Sequence, residues 1–465
     1  MLIRGFFTNS AGILFSRVLG FLRDLVTAQV LGANLYSDIF FVAFKLPNLF
    51  RRIFAEGAFT QAFIPGFAAA VHKGRFSLVV FTRLMAVVVG LSFLVTLFSQ
   101  MVTTVVAYGF SDEAKEMAAP LVALNFYYLD LIFVVTLLAA LLQYRRHFAT
   151  TAFATGLLNI AMIAALLISK EKAPLEIVYW LSYGVLAGGV LQVAVHFWAA
   201  GRYGVCRVLW TGVKKRRDIK TSVRRFERSF IPAIFGSSTA HISAFLDTFL
   251  ASFLVAGSIS YLYYANRILQ LPLALFAIAA STALFPVVAR AINRKDEAAA
   301  LMMMGKAFWL MLFLLGASTV GGALLAPEII WVLFERGAFS HADTVVTAGV
   351  LQMYMVGLLP FGLAKVFSLW LYSHHRQLEA AKISAIALGF NIVFSLLLIT
   401  PMGVYGLALA GSLGGVVLLV LSLRAFGWGR FAALLSSKKL ALFVGVMGGE
   451  VLLLLLAKQW MSLSG

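Results

Sequence analysis

The apolar stretch between Phe15 and Pro65 contains eight charged side chains. They are Arg17, Arg23, Asp24, Asp38, Lys45, Arg51, Arg52 and Glu56. A charge at the centre of a membrane helix costs about 2.5–3.5 kcal/mol on insertion scales. Such residues therefore line a hydrated interior, pair with one another or bind a ligand. Arg267 adds a further cation in a later apolar segment, where it follows Tyr263 and Tyr264.

The basic residues of this set outnumber its acids, and that excess indicates the charge of a ligand. A site for protons or metal cations should be rich in carboxylates, whereas surplus guanidinium groups suit an anion. The planar fork of arginine matches a diphosphate in particular. Three other interpretations remain open: an internal Arg–Asp pair that holds helices together, snorkelling of Arg51 and Arg52 to a helix end, and interfacial anchoring of Arg267.

The first apolar segment has a narrow polar stripe. At 100° per residue, one face carries a stripe with two further charged residues, Asp24 and Arg17, at its edge. The residues of the stripe are Asn9, Ser16, Gly20, Arg23 and Thr27. The opposite face consists of large apolar residues, so we expect the polar stripe to turn away from lipid.

A second polar group occurs later in the chain and could bind a small cation. Asp247 lies in the seventh apolar segment, and Asn391 and Ser395 are four residues apart in the eleventh. Carboxylate, amide and hydroxyl oxygens are hard ligands that suit Na⁺. Ordinary hydrogen bonding between helices is the alternative interpretation.

The composition indicates which kind of fold positions these residues. Of the 465 residues, 62% are hydrophobic and 12% are charged, whereas a soluble domain is about half apolar and a quarter charged. We therefore predict a polytopic α-helical membrane protein, with thirteen spans at 7–31, 37–70, 77–108, 117–143, 148–169, 175–200, 229–256, 259–290, 302–326, 343–373, 379–400, 403–426 and 438–460. The second and eighth spans are too long for straight helices and contain prolines, so we expect both to be bent or broken.

A strongly basic linker, residues 202–228, separates six spans from seven. The second and eighth spans share a pattern, since each has a Leu-Pro pair early and another proline late. Interrupted helices at matching places in two repeats are typical of a transporter's central site. We predict an N-terminal lobe at 1–201, the linker at 202–228, a C-terminal lobe at 229–426 and an extra transmembrane segment at 427–465.

The chain has a formal net charge of +19, and its basic residues lie mainly in every second short loop between spans. The positive-inside rule then places the N-terminus in the cytoplasm and the C-terminus outside, with anionic lipid rather than nucleic acid as the partner of the basic residues. A single cysteine, Cys206, excludes an intramolecular disulfide. We expect the first helix to act as an uncleaved insertion signal.

The sequence shows no nucleotide-binding loop, zinc-protease motif or Cys–His cluster. We therefore predict a protein that is not an enzyme and needs no cofactor, with Na⁺ as a candidate coupling ion. Transport energy would then come from an ion gradient, the membrane potential or the substrate's own gradient.

Four motifs resemble the MurJ/MviN family of lipid II flippases, in the MOP exporter superfamily. They are FSRVLGFLRD (15–24), SDIFFVAFKLPNLFRRIFAEGAFTQAFIP (37–65), YYANR (263–267) and FERGAFS (334–340). The resemblance implies two six-helix lobes around a central cavity, in a MATE-like fold, and alternating access for an undecaprenyl-diphosphate-linked disaccharide-pentapeptide.

The resemblance also implies roles for individual residues. It maps the family's essential cavity arginines onto Arg17, Arg23, Arg51 and Arg267, its sensitive acids onto Asp24, Asp38 and Glu56, and its sodium site onto Asp247 and Asn391. Two departures stand out: Asn266 replaces an aspartate found in many members, and one extra C-terminal span replaces the usual two.

Together these observations predict a lipid II flippase of the bacterial cytoplasmic membrane. The diphosphate-sugar head group would be held by arginines, with Arg52 and the acids beside them. The alternatives are an exporter of another polyprenyl-linked glycan and a non-transporting scaffold that recruits cell-wall synthesis enzymes.

Overall fold

The computed structural model describes residues 2–52, 58–214 and 219–464. Within these ranges the regular structure is helical throughout. The α-helices are α1 Leu2–Leu31, α2 Leu35–Phe50, α3 Ala58–Ala69, α4 Lys73–Leu97, α5 Ser99–Val106, α6 Asp112–Phe126, α7 Tyr128–Tyr144, α8 Ala149–Ser169, α9 Pro174–Arg202, α10 Val205–Lys214, α11 Lys220–Ala251, α12 Ser258–Pro272, α13 Ala279–Asn293, α14 Glu297–Leu324, α15 Ala326–Phe334, α16 His341–Ser373, α17 Gln377–Phe426, α18 Trp428–Leu434 and α19 Ser437–Ser464.

Ten of the thirteen predicted spans overlap helical segments of the described residues that could cross a membrane, whereas the spans at 7–31, 37–70 and 229–256 are not among these segments. Long apolar segments form helices because only a helix can satisfy their backbone groups in a membrane. By length and apolar composition alone, nine helical segments of the described residues could cross a membrane. One of them, α17, comprises the eleventh and twelfth predicted spans, which meet at a kink where Gly403 has φ 55°. The prediction of an all-α polytopic fold is confirmed.

The second and eighth spans are both interrupted, as predicted. Pro47 lies inside α2, and the chain turns into π-helical geometry at Arg51 and Arg52. Pro272 ends α12, and a π-helix follows over Leu273–Ile278 before α13 begins. Proline removes an i→i−4 hydrogen bond, and such breaks are satisfied locally by π turns, which occur frequently at functional sites.

The chain divides into two compact units. The first comprises residues 1–259 together with Arg336–Phe339, and the second comprises residues 260–335 and 340–465. The four-part division at 201, 228 and 426 stays a prediction.

The FERGAFS motif has a backbone role in the first unit. Gly337 has φ 61°, and a Cβ added there would lie 2.3 Å from the carbonyl oxygen of Gln29. The next amide, that of Ala338, donates a hydrogen bond of 2.8 Å to that same carbonyl. Glycine is therefore required by both the left-handed backbone and the close approach to α1.

Candidate functional site

Arg23 and Asp24 form a buried charged pair on α1. Arg23 is 8% exposed and Asp24 is 2% exposed. The guanidinium donates from Nε (3.1 Å) and Nη2 (2.7 Å) to Oδ1 of Asp24. Both hydrogen bonds reach one carboxylate oxygen, so the arginine is oriented by its own sequence neighbour. An internal Arg–Asp pair, one of the alternatives raised by the sequence, is therefore present.

The polar stripe of α1 packs against α8, which confirms that it turns toward protein. Ser16 Oγ donates to the carbonyl of Ala152 at 3.0 Å, and Asn159 Nδ2 donates to the carbonyl of Ser16 at 3.3 Å. Further along the same face, Nη1 of Arg23 lies 3.8 Å from the sulfur of Met162. Arg17, at the edge of the stripe, is exposed.

Asp38 lies in the first turn of α2 and is 2% exposed. Its Oδ2 accepts a 2.7 Å hydrogen bond from the backbone amide of Gly257, immediately before α12. A carboxylate beside the first amides of a helix is favoured by their unsatisfied N–H groups and by the helix dipole. Asp38 therefore has a hydrogen-bond partner within the first unit, and its substrate-binding role stays a prediction.

The remaining cations of α2 occupy different environments. Lys45 is half-buried and lies within electrostatic range of Asp247, on α11 of the same unit. Arg51 is half-buried and Arg52 is exposed, both at the π turn that ends α2. Glu56 lies outside the described residues, so its predicted role stays a prediction.

Arg267 belongs to α12 in the second unit. Its guanidinium donates to the hydroxyl of Tyr263, one turn earlier, and lies over that tyrosine's ring at 4.7 Å. One turn after Asn266, the side-chain amide of Gln270 donates to the Asn266 side chain. The tyrosine fixes the orientation of the arginine through a hydrogen bond and a cation–π contact.

The residues predicted to bind sodium are distributed over both units. Asn391 and Ser395 form a 3.3 Å hydrogen bond on α17, and Ser395 is 1% exposed. Asp247 belongs to the first unit, where Lys45 is its charged neighbour. Among the described residues no three His, Cys, Asp or Glu side chains group as metal ligands. The sodium site stays a prediction.

Sequence reasoning missed a polar cluster between α4 and α7. Ser92, 1% exposed, donates to Oδ1 of Asp130 at 3.0 Å, and Thr96 donates to the hydroxyl of Tyr127 at 3.0 Å. These residues are separated by more than thirty positions in sequence. Only the regular four-residue spacing of Ser92 and Thr96 in an apolar helix could have indicated a shared polar face.

Comparison with known proteins identifies the family. The family model described as "Lipid II flippase MurJ" matches residues 27–464. This chain belongs to the MurJ family. It is 48% identical over 450 residues to the probable lipid II flippase MurJ of Helicobacter pylori strain 26695, covering 94% of this chain and 97% of the relative. The Rhizobium tropici protein of the same description is 32% identical and covers 100% of this chain and 89% of its own length.

Solved structures agree on the fold of this MurJ family member. A lipid II flippase MurJ in an inward closed conformation gives a TM-score of 0.78 at 22% identity, covering 98% of this chain and 99% of that one. An inward-facing MATE multidrug transporter of the MOP superfamily gives 0.70 at 15% identity, covering 90% and 95%. The predicted MOP-type fold is confirmed, and the family is one of multi-pass membrane transporters rather than enzymes.

Proposed function

We propose that this MurJ family member flips lipid II from the inner to the outer leaflet of the bacterial cytoplasmic membrane. The observation that supports this most directly is the buried, oriented Arg23 within an apolar helix. Burying a guanidinium in an apolar helix is costly, and arginines kept there pair with carboxylates or mark a substrate pathway. The relatives described as lipid II flippases indicate the cargo class.

In this proposal the diphosphate of the head group binds Arg23, Arg51 and Arg267 by bidentate hydrogen bonds. Asp24 holds the Arg23 guanidinium in place while no substrate is bound, as its two hydrogen bonds indicate. Tyr263 does the same for Arg267. Arg17, exposed on α1, contacts the head group on entry.

Substrate movement follows alternating access, with the polyprenyl tail remaining in lipid. The π-helical interruptions near Arg51 and after α12 supply places where helices can bend. Transport is driven by an ion gradient, the membrane potential or the substrate's own gradient, and the candidate Na⁺ ligands are Asp247, Asn391 and Ser395. The proposed orientation has the N-terminus in the cytoplasm and the C-terminus outside, and cell-wall synthesis enzymes are proposed partners.

Reconstitution into vesicles with labelled lipid II tests the proposal. Outer-leaflet accessibility of the label should rise with the wild-type protein and should fall at least about tenfold for Arg23→Ala and for Arg267→Ala, since each loses a charge-assisted contact of about 1.5–3 kcal/mol. Arg83→Ala is the matched control, because Arg83 is an exposed arginine paired with Glu227.

Full activity of both the Arg23→Ala and the Arg267→Ala variants would contradict the assigned site. Absence of flipping by the wild-type protein, with Na⁺ and with an imposed potential, would contradict the function itself. Repeating the assay without Na⁺ tests the coupling ion separately.

A further inference from the structure

The second unit contains a wholly apolar cavity of about 250 Å³ that the transport proposal does not use. Five helices line it, namely α14, α16, α17, α18 and α19, and its wall includes Phe308, Trp309, Phe367, Phe431 and Phe443. Every lining side chain is apolar. We call this space the aromatic cavity.

The aromatic cavity has a closed floor and an open mouth. Phe367 is 0% exposed and Phe308 is 4% exposed at the floor, whereas Leu435 and Leu440, which also line it, are 47% and 49% exposed. The indole of Trp309 donates its N–H to the carbonyl of Leu434 at 3.0 Å and is thereby satisfied. A space of this chemistry does not hold water, since water needs polar partners, and it fits a hydrocarbon chain.

Two lysines precede Leu440, a residue of the mouth, in the first turn of α19. Lys438 and Lys439 follow Ser437, the first residue of α19, and the ammonium of Lys439 lies 5.8 Å from the centre of the Trp309 ring. Neither lysine forms an ion pair within the described residues, whereas nearby Arg430 is paired with Glu297 at 2.9 Å. The positive charge of the two lysines is therefore available to an anion that sits above the cavity.

We propose that the aromatic cavity binds one acyl chain of an anionic glycerophospholipid, with the phosphodiester at Lys438 and Lys439. An apolar cavity close to two lysines that form no ion pair within the described residues matches an amphiphile with a phosphate at the end of a hydrocarbon chain. Lysine suits a singly charged phosphodiester, because its ammonium acts as a point charge. Each lysine near the membrane surface also favours the binding of anionic lipid. The bound lipid joins α18 and α19 to the rest of the second unit.

Quenching of Trp309 tests the site directly. The full chain is placed in nanodiscs that contain brominated phosphatidylglycerol or brominated phosphatidylcholine at equal mole fraction. The Trp309 contribution is the difference between wild type and Trp309→Phe, since the chain has eight tryptophans. Brominated phosphatidylglycerol should quench this contribution at least about threefold more strongly, as expected from two interfacial lysines.

Two pairs of variants test the head-group and acyl contacts separately. Lys438→Ala with Lys439→Ala should abolish the preference for phosphatidylglycerol, whereas Lys170→Ala with Lys172→Ala removes the same charge elsewhere and should preserve it. Leu440→Phe narrows the mouth and should reduce quenching by both lipids. Leu442→Phe, at a 59% exposed position of the same helix, should leave it unchanged.

Equal quenching by the two lipids, or no quenching of the Trp309 contribution, would overturn the proposal. Recovery of fluorescence on adding an unbrominated polyprenyl phosphate, but not on adding unbrominated phosphatidylglycerol, would assign the cavity to an isoprenoid tail and would overturn it as well. Counting the phosphatidylglycerol that co-purifies with wild type and with Leu440→Phe gives a second measurement that does not depend on fluorescence.

Discussion

Asp24→Ala should lower the free energy of unfolding, because it leaves the buried guanidinium of Arg23 without its carboxylate partner. Arg23 and Asp24 are 8% and 2% exposed, and two hydrogen bonds of 3.1 and 2.7 Å join them. Removing one partner of a buried ion pair typically costs 3–5 kcal/mol, because the other charge is left uncompensated. We expect about 3 kcal/mol, at the lower end, since Arg23 also contacts the sulfur of Met162.

A double-mutant cycle measures this coupling. Thermal unfolding of purified wild type, Asp24→Ala, Arg23→Ala and the double variant gives the four free energies of unfolding. The double variant should be less destabilised than the sum of the single variants by about 1–3 kcal/mol, because it leaves no lone charge. Additive effects within about 0.5 kcal/mol would refute the reasoning that the two side chains act as one buried pair.

Three further predictions concern backbone strain, protonation and an exposed ion pair. Gly337→Ala should lower the free energy of unfolding by about 1–3 kcal/mol, because Gly337 has φ 61° and lies close to α1. The control Gly445→Ala, at a helical glycine with open space around it, should be neutral or stabilising. Burial lowers the pKa of His147 below its ordinary value of 6.5, so the unfolded chain binds more protons in acid. The melting temperature of the wild-type protein should thus fall as the pH drops below about 6.5, and the fall should be smaller for His147→Asn. The same pH dependence of the melting temperature in both proteins would contradict this prediction. Glu227→Gln should change the free energy of unfolding by less than about 1 kcal/mol, because its 2.8 Å pair with Arg83 is exposed, and a larger loss in the same melts would count against that estimate.

Much of the fold could be predicted from the sequence, because hydropathy and proline positions act locally. The helix interruptions near Pro47 and Pro272 were predicted from proline chemistry and are present. The polar stripe of α1 was predicted to turn toward protein, and it packs on α8. Each of these features depends on residues within a few helical turns of one another.

The partners of the site residues could be predicted less well. Arg23 is oriented by Asp24, its neighbour in sequence, and Arg267 by Tyr263, one turn away, so local spacing was informative there. Asp38, in contrast, accepts a hydrogen bond from a residue 219 positions later. No periodicity encodes such a contact, because it depends on how separate helices pack.

The sequence by itself determined the membrane class, the positions of the helices, the excess of arginine over carboxylate in apolar segments and the family. Composition and motifs suffice for these, since the cost of a charge in lipid depends on residue type. The tertiary structure alone decided that Asp247 has Lys45 as its charged neighbour and that five helices enclose the aromatic cavity beneath Lys438 and Lys439. Both follow from packing between residues far apart in the chain, whose contacts are set by the shape and volume of many side chains at once.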